Sequence, residues 1–255
     1  MKITILVAAH KAYRMPDSPV YMPLHVGREG KGDLGYTGDN TGEHISAKNA
    51  NYCELTGLYW AWKNHDCDVL GLAHYRRHFA RRRCLAPSWD NILGETQIRA
   101  LLERCDAILP VPRNYYIETT YQQYVHAHHA IDLDTTREIL SERYPAYLDA
   151  YDAAMRSTKG HRFNMFIMKR EVADAYCAWL FDVLFELERR LDISAYSKND
   201  ARVFGFVSER LLDVWLHTNG IRTQDVPVMF MEKQNWIRKG GAFLRRKIAG
   251  HLAGR

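Results

Sequence analysis

No stretch of this 255-residue chain approaches the roughly 20 consecutive apolar residues that cross a bilayer. The first apolar run, Ile3 to Ala9, is followed at once by His10, Lys11 and Arg14. It has neither the length nor the small-residue cleavage site of a signal peptide, which predicts a cytoplasmic chain. Cysteine is sparse: five residues with no CxxC pair, the pattern of free thiols in a reducing compartment and a poor one for structural zinc. A Gly-rich phosphate loop ending in Lys-Ser or Lys-Thr is absent, and no GxGxxG follows a strand-like run, so the common nucleotide-hydrolase and dinucleotide classes lose weight. Repeats and low-complexity tracts are missing too. Acidic residues are absent from one place: between Gln234 and Arg255 there are six basic residues and no acid. The whole chain has 35 basic and 30 acidic residues, so its net charge of +5 is local and the body is near neutral. That neutrality, with no recognised binding motif, argues against a nucleic-acid partner.

What is present is ordinary globular material, 47% hydrophobic and 25% charged. Length and composition predict one domain over residues 1–233 with a basic tail over 234–255. Short β-branched or apolar runs (Ile3–Ala8, Val69–Ala73, Ala107–Val111, Phe163–Met168, Val226–Met231) alternate with helical stretches. The helical stretches are Ala47–Asn64, Glu95–Arg104, Tyr121–Ala130, Thr135–Arg143, Ala146–Met155, Glu171–Leu191 and Val203–Thr218. Such alternation predicts an α/β layered fold with a mainly parallel sheet. Residues Lys11–His44 hold six of the sixteen glycines and three of the eight prolines, without periodicity, and read as a long functional loop.

In an open parallel sheet, ligands bind beyond the carboxyl ends of the strands. Three strand ends here deliver cations: His10-Lys11 after the first, His74-Tyr75-Arg76-Arg77-His78 after the second, and Arg113 after the third. Paired guanidiniums are planar forks suited to phosphate oxygens, so His74, Arg76 and Arg77 are the candidate diphosphate-binding residues, while Arg81 to Arg83 read as a solvated surface. Asp39, Asn40 and the helix carrying Asn49, Trp60 and Lys63 put amides, carboxylates and indole rings together, a combination that suits a sugar or uracil. Ser46 is the expected N-cap of that helix.

Several blocks resemble a bacterial family of glycosyltransferase-like proteins from capsule, exopolysaccharide and O-antigen clusters, long catalogued as a domain of unknown function. They are Asp39-Asn40; Ile45-Ser46 through Asn49, Tyr52-Cys53-Glu54-Leu55-Thr56-Gly57-Leu58-Tyr59-Trp60-Ala61-Trp62-Lys63-Asn64; Gly71-Leu72-Ala73-His74-Tyr75-Arg76-Arg77; Asn164-Met165-Phe166-Ile167-Met168; and Arg202-Val203 through Ser208-Glu209-Arg210-Leu211. The likeness runs from about Ile3 to Val228. It implies a GT-A-like fold, a UDP-sugar donor, galactofuranose as the leading sugar, and transfer with inversion onto a growing, undecaprenyl-linked surface glycan.

GT-A enzymes commonly hold a divalent ion on an Asp-x-Asp at the end of a central strand. Here that place reads Ala73-His74-Tyr75-Arg76, and the alternative Asp66-x-Asp68 precedes its strand. The expectation is therefore a metal-independent enzyme whose arginines compensate the leaving diphosphate, with manganese or magnesium as the alternative cofactor. His74 with His78, or the run His126 to His129, offers metal ligands without an evident carboxylate partner. For the base that takes the acceptor proton, the first candidate is Glu209 at the start of its helix, and the second is Asp132. His10, Lys11 and Asn164 join Asp39, Asn40, Asn49, Trp60 and Lys63 as nucleotide or sugar contacts. Phe243, Leu244, Ile248 and Leu252 among Arg245, Arg246 and Lys247 suit an anionic membrane surface. The competing classes are a nucleic-acid-binding module and a metal-dependent phosphohydrolase.

Overall fold

The computed structural model describes residues 1–232. The strands are β1 (Ile3–Ala9), β2 (Tyr21–His25), β3 (Thr37–Gly38), β4 (Val69–His74), β5 (Arg77–Phe79), β6 (Ala107–Pro110), β7 (Arg113–Asn114), β8 (Lys159–Gly160), β9 (Phe166–Lys169), β10 (Thr223–Val226) and β11 (Val228–Phe230). The α-helices are α1 (Asn49–Tyr52), α2 (Leu55–Asn64), α3 (Glu95–Leu102), α4 (Thr120–Val125), α5 (Ala130–Arg143), α6 (Leu148–Arg156), α7 (Arg170–Arg190) and α8 (Val203–Thr218).

Every residue of β1 is buried, because the strand lies mid-sheet with side chains covered on both faces. Alternate residues enter opposite cores: Leu6 and Ala8 pack with α2, α7 and α8, whereas Ile5 and Val7 pack with α3 and the β5–β11 ribbon. The sheet runs β10-β6-β9-β4-β1-β2-β3. Strand β1 is parallel to β2 and β4, β2 to β3, and β6 to β10. Strand β9 is antiparallel to both neighbours, β4 and β6. This is the expected α/β layered fold with a mainly parallel sheet, and one reversed strand at its centre.

Several local expectations change. The segment Lys11–His44 is not loop throughout: it contributes β2 and β3, which extend the parallel sheet beyond β1. The stretch Ala47–Asn64 is not one helix. It breaks at Cys53, whose φ of 52° lies in the left-handed region that a helix cannot pass through. Ser46 does not cap it; its hydroxyl donates instead to Asp39 Oδ1. Likewise the run Phe163–Met168 pairs only from Phe166, since Phe163 and Asn164 carry φ of 78° and 53°. Pro227 divides the last expected strand into β10 and β11. Among the described residues no helix is long and apolar enough to cross a membrane. The amphipathic reading of the tail lies outside the described residues.

Candidate active site

The parallel strands deliver their C-terminal residues to one rim, and the reversed β9 delivers its N-terminal residues there. Tyr75, which follows β4, is buried and forms the floor. His10 packs edge-on against its ring, with centroids 5.2 Å apart, and His10 Nε2 shares a 3.3 Å hydrogen bond with the Tyr75 hydroxyl. Lys11 Nζ lies 5.6 Å and Arg76 Cζ 4.9 Å from the centre of the same ring. Burial, then the charges of Arg76 and Lys11, hold His10 below the ordinary imidazole range, so the ring is neutral near pH 7.

The two arginines expected to act as a pair diverge. Arg76 is exposed and bridges to Glu232 Oε2 at 3.1 Å. Arg77 is half-buried, stacks on the Phe163 ring at 4.6 Å and faces the carboxylates of Glu209 and Glu54. Arg76 sits in the turn between β4 and β5 whereas Arg77 is the first residue of β5, paired back to His74, so the two spread their charge over two parts of the rim. His74 turns elsewhere: its Nε2–H donates to the Phe163 carbonyl at 2.6 Å, which tethers the β9 approach to β4.

Glu54 was not singled out in the sequence, yet it sits at the middle of this arrangement. It is the residue between the α1–α2 break and α2 itself. Its Oε1 accepts from Asn164 Nδ2 at 2.7 Å, and Asn164 Nδ2 also donates to the Gly205 carbonyl at 3.1 Å. Glu209, one turn into α8, accepts from Arg210 Nη1 at 3.2 Å. Arg202 joins the group, donating to Cys53 Sγ at 3.2 Å within the fields of Glu54 and Glu209. Burial, then the Glu54 charge, pushes the Cys53 thiol up to about 11, so it stays protonated and unreactive at neutral pH. The one signal that could have marked Glu54 is that it is the only acid in the aromatic block Tyr52 to Lys63.

Three residues with positive φ (Cys53, Phe163 and Asn164) converge here, and each costs on the order of 1–3 kcal/mol relative to relaxed backbone. Close approach adds a further demand. A Cβ on Gly205 would lie 3.1 Å from Cys53 Sγ and 3.2 Å from its Cβ, so a side chain there would press α8 against the α1–α2 break.

Other expected site residues lie elsewhere. Asp132 is buried beneath α5, and its two oxygens accept from Tyr124 at 2.8 Å and Tyr196 at 2.6 Å, an arrangement that holds helices together. Asp39 is fully buried and takes the Gly27 and Arg28 backbone amides at 2.7 and 3.0 Å, which shapes the β2–β3 end. Asn49 donates to the Cys53 carbonyl at 2.7 Å and supports the helix break. Trp60 and Lys63 lie towards the far end of α2, which at about 1.5 Å per residue carries them away from the rim. Trp60 Nε1 donates to Thr41 at 2.9 Å, and Lys63 pairs with Glu43 at 3.3 Å. Asn40 follows β3 and is half-buried at the outer side of the rim.

The histidines do not assemble. His78 is buried between Tyr21 and Trp89, while His126 pairs with Glu118 at 3.1 Å and His128 with Asp200 at 3.0 Å. Among the described residues no group of three or more His, Cys, Asp or Glu is placed to hold a metal ion. Asp68 lies at the other end of β4, where it accepts from the Lys2 amide at 2.5 Å. The end of β4 therefore lacks the acidic pair that a divalent ion on a diphosphate would need.

Residues 4–220 match the family model described as Domain of unknown function (DUF4422). The chain is similar to a solved structure titled WbbM bifunctional glycosyltransferase, in its apo form. The TM-score is 0.84 at 27% identity, over 91% of this chain and 46% of that one. It thus spans about half the length of that protein. No curated protein matches. Sheet order and likeness together make the fold GT-A-like.

Proposed function

This chain belongs to the DUF4422 family, and from that premise we propose that it is a glycosyltransferase moving a hexosyl group from a UDP-sugar to a glycan acceptor. The observation that carries this reading is the rim itself. Arg77 and Arg202 lie within the fields of two carboxylates, Glu54 and Glu209, while Lys11 and Arg76 flank His10 and Tyr75 at the carboxyl ends of parallel strands. Cations alone would suit any anion. Cations next to carboxylates suit a reaction in which a diphosphate leaves while a hydroxyl loses its proton.

In this reading Arg76 and Arg77 compensate the charge that grows on the departing diphosphate, and neutral His10 donates or accepts without adding charge. The guanidiniums take the part a metal plays in other GT-A enzymes, so the reaction needs no divalent ion. His74 acts through the Phe163 carbonyl, and Asn40 lies on the side where the nucleoside would extend. One of the two carboxylates is the base for a transfer that inverts the anomeric centre. Galactofuranose is the leading donor sugar, a lipid-linked surface glycan the leading acceptor, and the cytoplasmic face of the membrane the place. These last three rest on the resemblance to polymer-building relatives and on the basic tail.

Isothermal titration of the full chain with UDP, UDP-galactofuranose and other UDP-sugars tests the reading. Binding in the micromolar range, followed by release of UDP when a glycan acceptor is added, is the expected result. Absence of binding by every nucleoside diphosphate tried overturns it.

A further inference from the structure

The two rim carboxylates differ in what holds them. Glu209 Oε2 is bonded to Arg210, a buried guanidinium, so a fixed positive charge compensates it directly. Glu54 Oε1 is bonded to an uncharged amide, Asn164 Nδ2. That amide has no freedom to serve a ligand. Asn164 is 3% exposed, its second donor goes to the Gly205 carbonyl, and its Oδ1 accepts from Ser208 Oγ at 2.9 Å. An asparagine side chain offers two donors and an oxygen with two lone pairs, and both donors and one lone pair are spent on the protein.

The result is a carboxylate that is aimed by a neutral amide, with no guanidinium or ammonium hydrogen-bonded to it among the described residues. Among the described residues, no hydrogen bond reaches Glu54 Oε2. The backbone on both sides of the Glu54–Asn164 bond is held in the left-handed region, at Cys53 beside one partner and at Asn164 itself. Glu54 shares the guanidiniums of the rim with Glu209. Arg77 and Arg202 feel its charge, and Gly205, which lets α8 approach, is also the residue whose carbonyl anchors Asn164.

We propose that Glu54 is the general base of the transfer, with Asn164 and Ser208 as its positioning residues, and that Glu209 instead holds the guanidiniums Arg210 and Arg77 in place. This assignment rests on the glycosyltransferase reading. The acceptor hydroxyl oxygen forms a bond to the anomeric carbon of the donor. The bond from that carbon to the diphosphate oxygen breaks, and its electron pair leaves on UDP beside Arg76 and Arg77. The hydroxyl proton passes to Glu54 Oε2 and from there to solvent.

A nucleophile that is already ionised needs no base, and this separates proton transfer from every other role of Glu54. Full-length wild type, Glu54→Gln, Glu54→Ala and Glu209→Gln are compared with the donor that wild type uses, offering either a hydroxyl acceptor or sodium azide. Glu54→Gln is expected to keep the wild-type melting temperature and UDP affinity and to lose transfer to the hydroxyl by about 10²–10⁴-fold. Glu54→Ala is expected to form the glycosyl azide with inverted configuration. The acid limb of the wild-type kcat/KM profile should vanish in Glu54→Gln and persist in Glu209→Gln. Near-normal hydroxyl transfer by Glu54→Gln, or failure of Glu54→Ala with azide while wild type is active, overturns the assignment. A wild type that transfers from no nucleoside-diphosphate sugar sinks the functional reading and this base with it, an outcome seen without any variant.

Discussion

Arg76 and Arg77 adjoin in sequence but serve different parts of the rim, and this sets what each substitution should do. Charge-assisted bonds to an anion contribute about 1.5–3 kcal/mol each, so Arg76→Ala and Arg77→Ala should each weaken UDP binding by roughly 10-fold or more. Arg76 is exposed, so its variant should melt like wild type; Arg77 stacks on Phe163, so its variant should also lose stability. Titration calorimetry beside thermal unfolding reads both. Asp132 gives the opposite contrast. Its buried carboxylate serves the hydroxyls of buried Tyr124 and half-buried Tyr196, and Asp132→Ala strands the first away from water. Each unpaired buried group costs about 1–3 kcal/mol, so chemical denaturation should show a loss of that order with UDP affinity intact. Residue type alone could not separate Asp132 from Glu209, since both are acids within helices. Their partners, two tyrosines against a ring of arginines, do separate them.

At the level of elements, the site is made where helices and strands stop. The α1–α2 break, the start of α8 and the approach to β9 meet through Gly205, Cys53 and Asn164. Gly205→Val should push α8 away, cost about 1–3 kcal/mol in stability by overpacking, and reduce transfer more than the melting change explains. A second junction ties α8 to the edge of the sheet. His161 bonds the Asp213 carboxylate from its backbone amide and Nδ1, and Asp225 on β10 from Nε2 at 3.0 Å. Burial would lower its pKa, but the two aspartates outweigh that and raise it above 6.5. A raised folded value means the stabilisation is complete below pH 6.5 and disappears as pH climbs through the folded value. Wild type should therefore lose melting temperature from neutral to alkaline pH, and His161→Gln should flatten that slope while melting lower at pH 6. Helix periods predicted α8 from Val203 to Thr218 correctly, because its apolar stripe is continuous. They ran α1 into α2 as one helix, because nothing in a 3.6-residue period marks a single residue with positive φ.

Across the described residues, the central strands of the sheet are buried on both faces while Lys11, Arg76, Arg77 and Arg202 gather at the rim. The fixed cations there, and the missing acidic pair at the end of β4, lead to a simple expectation: a chelator such as EDTA should leave UDP binding, transfer and melting temperature unchanged. Loss of transfer that manganese restores would require a metal at this rim. The sequence alone determined the layers, because continuous apolar runs can be satisfied only between two covered faces, and alternating runs and helices order themselves by connectivity. It also determined that strand ends carry the cations, since Arg76 and Arg77 follow a buried run directly. Only the tertiary structure decided which residues are partners. Glu54 and Asn164 are 110 residues apart, and Ser208 is a further 44 from Asn164. Their meeting depends on the reversal of β9, two residues in left-handed backbone and one glycine contact. Hydrophobic periodicity reports which face of an element is buried, whereas the pairing of polar side chains depends on register and close approach between elements that no local pattern encodes.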